Sequence, residues 1–407
     1  MHLKDRFNLS VFPTLVVLAL SCTAQLAQAQ GNAVHDTNTP FGLNKVIAFY
    51  GAPTDIASAT FVLSGDWKYW HGRGGVASRG ITHQQFLRKS VDEASKFLAS
   101  LDIAGNPKPA ITIDEFGWDY DGGIDRHSAA ILNAVHKTKP ELKIAVWQMR
   151  GPVAPGLAAS YRDTVELVMM ETYFDLKDAW MIPFQLQTAR LNGLIAKTIV
   201  GLGIGSESPD LGSYRWTQTE EELDQQLRLI RLVAPESPGV AFFGLDRLGK
   251  CPLTRESLDR LCGHFLQIPT DGTGLKPELM KLGKTFVKGY EKPAIFCSSE
   301  FVLPYFHSGQ DGGPWGSTYQ PPVARVLMMN LGVKKASGIK IGLRAPGEGG
   351  GVWAEGRLDI PARSVAVGVL PLLSGKNWHG WTGTEIMVVE APGCEVFNFR
   401  DSRYAAK

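Results

Sequence analysis

No sign of charge dominates this chain: 42 basic residues stand against 40 acidic ones, a formal net charge of +2 over 407 residues. A nucleic-acid or membrane-surface role would draw on a basic excess that is not there. Long apolar runs are missing too. Val11 to Leu20 is the longest stretch near the N-terminus; it is interrupted by Pro13 and falls short of the roughly 20 residues a bilayer demands. Cysteine is scarce, with five in all, and none has the spacing of a metal site. The sequence has no P-loop, no strand-linked dinucleotide fingerprint and no Gly-x-Ser-x-Gly elbow. Gly201-Leu202-Gly203-Ile204-Gly205 lacks the dinucleotide spacing and reads as a strand-end turn. No cofactor and no metal are expected.

The N-terminus has the order of a secretory signal: Lys4 and Arg6, the apolar segment, then the small-residue site Ala27-Gln28-Ala29. Export to the periplasm or medium follows. Lipidation at Cys22 is the alternative, with Leu20-Ser21 a poor lipobox. An oxidising compartment permits Cys251–Cys262 and Cys297–Cys394 bridges, and free buried thiols are an equal reading.

Beyond a polar leader over 30–43, short apolar runs alternate with amphipathic stretches, the pattern of a parallel β/α fold. Strands are expected at Val46–Tyr50, Thr60–Leu63, Ala110–Asp114, Lys143–Gln148, Glu166–Tyr173, Lys197–Gly201 and Gly239–Leu245. Helices are expected at His83–Leu101, Arg126–Thr138, Pro155–Thr164, Ile182–Ile195, Thr219–Val233 and Arg255–Gln267. An eighth strand, needed to close a barrel, is placed near Gly75–Ile81. After about Gly289 helical periodicity stops and short alternating runs take over, from Val323–Asn330 to Glu395–Phe399. The expected architecture is α/β: a signal peptide (1–29), the leader (30–43), a (β/α)8 TIM-like barrel (44–288) and a β-sandwich (289–407).

Chemistry concentrates where strands end. Ile111-Thr112-Ile113-Asp114-Glu115 is a β-branched run that stops in two adjacent carboxylates. Strand alternation puts Thr112 and Asp114 on the inner face and both isoleucines against helices, with Glu115 at the rim. Leu167, Met169, Glu171 and Tyr173 share a face in the same way. Two carboxylates at the mouth of a barrel suit glycosidic bond cleavage, where one protonates the leaving oxygen and the other attacks or activates water. Glu115 is assigned as general acid/base, Glu171 as nucleophile or base, and Asp114 as the residue that tunes Glu115. Asp114 as a paired interior acid and Glu171 as a hydroxyl-binding residue are the alternatives. Trp118, Asp119, Trp147, Gln148, Tyr173, Trp67, Trp70 and Asp246 are candidates for sugar contact. The aromatic-polar cluster from Asp66 to Arg73 reads either as a cover over the cleft or as an aromatic plug beneath a loop. His83 and His127 read as helix-surface residues.

Over roughly residues 85 to 250 the motif order resembles family 18 (chitinase-like) glycoside hydrolase barrels. The segments that carry it are Ile111–Glu115, Glu171-Thr172-Tyr173-Phe174-Asp175, Thr198–Gly203 and Pro238–Phe243. The family's Asp-x-Asp-x-Glu is replaced here by Thr112-x-Asp114-x-Phe116, so its substrate-assisted mechanism is not implied. Asp114-Glu115 equally resembles the Asn-Glu strand end of the large clan of retaining barrels. The resemblance implies a barrel and a sugar-cleaving role, with a poly- or oligosaccharide as partner. A non-catalytic carbohydrate-binding barrel is the competing expectation, and a structural surface protein a third.

Overall fold

The computed structural model describes residues 39–101, 106, 109–117, 119–149, 151–173, 176–205, 217, 219–305, 323–344, 351–371, 373 and 385–399. The signal-peptide expectation, Trp118, Phe174 and Asp175 lie outside these residues.

Eight parallel strands close into a barrel: β1 (Val46–Tyr50), β2 (Phe61–Leu63), β3 (Val76–Thr82), β4 (Ala110–Phe116), β5 (Lys143–Gln148), β6 (Leu167–Thr172), β7 (Thr198–Gly203) and β8 (Gly239–Phe243). The strand placed near Gly75–Ile81 is β3. Closure occurs where β1 pairs with β8, in register Val46↔Gly239. A Cβ on Gly239 would lie 1.6 Å from the Val46 carbonyl oxygen, so only glycine lets the ring close there.

The period of two sorts the strand residues into two cores. Val46, Ala48, Phe61, Val76, Ala110, Ala145, Leu167, Met169, Ile199 and Ala241 fill the barrel interior. Their neighbours, including Ile111, Ile113, Val146, Val168 and Met170, pack outward against the helices.

Those helices are α1 (Trp67–Gly72), α2 (Val91–Ser100), α3 (Gly123–Thr138), α4 (Pro155–Thr164), α5 (Met181–Leu191), α6 (Glu220–Val233), α7 (Arg255–Gly263) and α8 (Pro277–Val287). Two begin with reciprocal caps, Ser90 with Glu93 on α2 and Thr219 with Glu222 on α6. The single helix expected over His83–Leu101 is instead a 3-10 turn, His83–Gln85, followed by α2, because the Ser90 cap restarts the helix. Sequence reading missed α1 and α8. All four cysteines among the described residues are free.

Beyond α8 the chain builds two further sheets. One orders β13-β10-β9-β15, from β9 (Ala294–Tyr305), β10 (Val323–Asn330), β13 (Ser364–Pro371) and β15 (Glu395–Phe399). The other orders β12-β11-β14, from β11 (Ala336–Arg344), β12 (Val352–Ile360) and β14 (Glu385–Glu390). They share a core that includes Cys297, Val326, Ile341 and Trp353. The first sheet is mixed, since β15 runs parallel to β9. Its Phe296 and Phe301 join Trp180, Phe184 and Phe286 of the barrel side in one aromatic layer. Among the described residues no helix is long and apolar enough to cross a membrane.

Candidate active site at the barrel mouth

Above the apolar interior, the same inward alternation delivers Tyr50, Asp114, Glu171 and Phe243 to the C-terminal ends of the strands, with Tyr173 just beyond β6. This is the face on which parallel barrels carry their chemistry. The Tyr50 hydroxyl donates to Asp114 Oδ2 at 2.9 Å, and the Glu115 amide donates to Oδ1 at 3.1 Å. Burial nevertheless outweighs these donors: it pushes the Asp114 carboxyl up to about 6, with the Glu115 charge adding to the rise. Asp114 therefore changes charge near neutrality.

Glu115 owes its place to a break in the ladder. Ile113 pairs with Val146, but the next pair is Phe116 with Gln148, so Asp114 and Glu115 together oppose Trp147. This is a β-bulge, a device that re-aims a side chain. Without it, alternation would turn Glu115 into the helix layer beside Ile113. Glu115 sits at φ 55°, in the left-handed region that costs a non-glycine residue about 1–3 kcal/mol. Its carboxylate oxygen Oε2 accepts from Gln84 Nε2 at 3.1 Å.

Aromatic rings line the opposite wall. Tyr50 meets Phe243 edge-on at 4.9 Å and Trp147 at 5.8 Å, while Tyr173 stacks on Phe243 at 5.3 Å. Trp147 is fully buried and donates from Nε1 to the Tyr173 hydroxyl. It forms the floor beneath the mouth, where Gly201 leaves room for its ring. Burial drives Tyr173 ionisation well up, and the charges of Glu171 and Asp114 drive it further. Glu171 itself is anchored by its main chain: Gln185 Nε2 donates to its carbonyl at 2.8 Å.

On the β3 side the wall is open. Ser78 faces inward, its hydroxyl 2.6 Å from that of Thr112, so Gly80 two residues later faces inward as well. Gly80 is exposed, and a Cβ built on it would find nothing within 4 Å.

Other expected site residues are placed elsewhere. Asp119 is 3% exposed and accepts from the amides of Ile124 and Asp125, both at 2.9 Å, at the start of α3. Gln148 is buried on the outer face of β5, accepting from the Tyr161 hydroxyl and donating to the Gly117 carbonyl. It braces the loop after β4. Trp70 is 1% exposed in the barrel–helix core, so that ring is a plug, with Trp67 packed beside it. Asp246 is exposed on the 3-10 helix that follows β8. Three mouth residues went unread in the sequence: Tyr50 and Phe243, which inward phase at a strand end could have identified, and Gln84, which carried no signal. His83 corrects its helix-surface reading, being fully buried between Phe86 and Phe116. Among the described residues no group of three or more His, Cys, Asp and Glu could hold a metal.

No protein-family model matches this chain, and no curated protein matches it. Solved structures resemble it in part, glycoside hydrolases among them. An endo-β-N-acetylglucosaminidase from Cordyceps militaris is 12% identical over 56% of this chain and 92% of that one, with a TM-score of 0.37. A GH27 β-L-arabinopyranosidase from Geobacillus stearothermophilus is 12% identical over 75% of this chain and 76% of that one, at 0.33. The carboxyl transferase domain of Rhizobium etli pyruvate carboxylase is 11% identical over 64% of this chain and 52% of that one, also at 0.33. Likenesses this slight carry nothing about chemistry.

Proposed function

We propose that the protein is an exported glycoside hydrolase that cleaves a poly- or oligosaccharide at the barrel mouth. One observation carries the reading: the inward-facing acids Asp114 and Glu171 stand at the C-terminal ends of β4 and β6, where Tyr50 donates to Asp114 and belongs to a wall with Phe243 and Tyr173. Carboxylates supply the proton donor and the nucleophile or base of glycosidic cleavage, and flat rings suit sugar faces. Glu115 is the acid/base, re-aimed into the mouth by its bulge. Glu171 is the second carboxylate. Asp114, its oxygens held by Tyr50 and the Glu115 amide, tunes the charge beside Glu115. The barrel spans 44–288, and the two sheets beyond it form a sandwich-like accessory module that braces the barrel through the aromatic layer.

The test is a screen of residues 30–407 against a broad polysaccharide panel, with released reducing ends as the readout and Glu115→Gln and Glu171→Gln run in parallel. Release by the wild type, lost in both variants, is the expected result. Wild-type binding without release would instead make this a carbohydrate-binding barrel.

A further inference from the structure

Where α8 meets the accessory sheet, the surface is concave a second time, and no residue that lines this seam belongs to the mouth. Two clefts adjoin at Val287 and Lys288. One, of about 880 Å³, lies between α8 and β15; the other, of about 440 Å³, opens toward α5 and α6. The floor is apolar: Met280, Val287, Tyr290 and Phe397 line it, and Val287 is 43% exposed. The rim is cationic. Lys281, Lys284 and Lys288 recur at the spacing of one helix face, and Arg363 arrives from the turn between β12 and β13. With Arg190, five cations line the seam against two carboxylates, Glu236 and Glu395. Arg190 and Glu236 neutralise each other at 2.7 Å. The local excess is therefore larger than the +2 of the whole chain.

We propose that this seam binds an acidic polysaccharide, as a docking site separate from the mouth. Among the described residues Lys281, Lys284, Lys288 and Arg363 enter no ion pair, so their charges are open to a ligand. The Lys288 ammonium stands 4.7 Å from the centre of the Tyr290 ring, which holds it at the point where the two clefts join. Cations at the C-terminal end of a helix complement its dipole, and that accounts for Lys284 and Lys288. It does not account for Arg363, which reaches the same apolar floor from the sheet side. Such a floor between cations meets both halves of an acidic sugar, the apolar ring faces below and the anions along the rim. A concave groove suits a narrow linear chain, whereas a bilayer docks on a protruding surface. The choice of a polysaccharide among linear polyanions rests on the glycosidase reading above.

The experiment measures binding of the full chain to polygalacturonate and to neutral dextran by titration calorimetry. The combined variant Lys281→Gln, Lys284→Gln and Lys288→Gln is run beside Glu395→Gln. All four side chains are exposed, so both variants should melt with the wild type. The wild type should bind polygalacturonate and not dextran, with affinity that falls as salt screens the lysines. The triple variant should bind about tenfold more weakly, and Glu395→Gln, which removes a competing anion, about twofold more tightly. Wild-type affinity in the triple variant, or equal binding of dextran, overturns the site. Tighter binding of phosphatidylglycerol vesicles or of a single-stranded oligonucleotide through the same lysines overturns the polysaccharide assignment. Glu115→Gln keeps the two readings apart. It should bind polygalacturonate as the wild type does, and a loss of affinity there would place the polymer at the mouth and overturn the seam. A wild type that binds through the lysines and cleaves nothing ends the glycosidase reading and leaves this site standing.

Discussion

Two acidic clusters follow one another along the same stretch of chain and have opposite fates. Asp114 and Glu115 end β4; Asp119, Asp121 and Asp125 come within the next ten residues. The second cluster is consumed by the main chain. Asp119 takes the amides of Ile124 and Asp125, Asp125 takes that of Asp121, and Asp121 takes those of Gly156 and Leu157 at the start of α4. These carboxylates neutralise helix N-termini and tie loops together. At the mouth Asp114 also takes two donors, but they are the Tyr50 phenol and the adjacent Glu115 amide and not a helix end, while Glu115 takes one from Gln84. The composition of the two clusters is similar, but their oxygens do different things. An acid fit for chemistry is one the fold has not already saturated.

The comparison can be broken in four ways. Glu171→Gln or Glu115→Gln should reduce turnover by about 10²–10⁴-fold, with polysaccharide binding and melting temperature little changed. Large unfolding in these variants would put them in the structural class with Asp119. Asp119→Ala should do the reverse, destabilising the protein by about 3 kcal/mol in denaturant titration because two helix amides lose their acceptor in a buried setting. A loss under about 1 kcal/mol would show that water replaces the carboxylate and that the two clusters are less distinct.

Gly80→Leu sharpens the contrast from the other wall. The position has open space and an ordinary backbone, so the melting point should hold. Affinity for substrate should fall about tenfold or more as the side chain fills the mouth. Unchanged affinity would move the substrate away from β3.

The smallest effect concerns pH. Folding raises the Asp114 carboxyl from 3.8 to about 6. The folded state thus holds the proton more tightly than the unfolded chain, and this contribution is complete below about pH 3.8 and lost as pH rises through about 6. The wild type should therefore lose about 2 kcal/mol relative to Asp114→Asn between pH 4 and pH 7, read from denaturation at each pH. Parallel stability curves would show that Asp114 titrates as it does in water.

Local pattern determined a good deal on its own. Strand alternation placed Thr112, Asp114, Glu171 and Tyr173 on the inner face, and a strand count one short of a closed barrel placed the eighth near Gly75–Ile81. These are statements of period and sterics, carried by neighbours in the chain. Only the tertiary structure decided which polar and aromatic groups remained available. Trp70 and Trp147 are indistinguishable from surface rings in a sequence, yet helix packing buries the one and the barrel floor the other. Asp119 and Glu115 are both rim acids by position. One meets the amides at the start of α3, and the other meets Gln84 from the turn after β3. Hydrogen-bond supply and burial depend on residues far apart in the chain, and a periodic pattern carries no record of them.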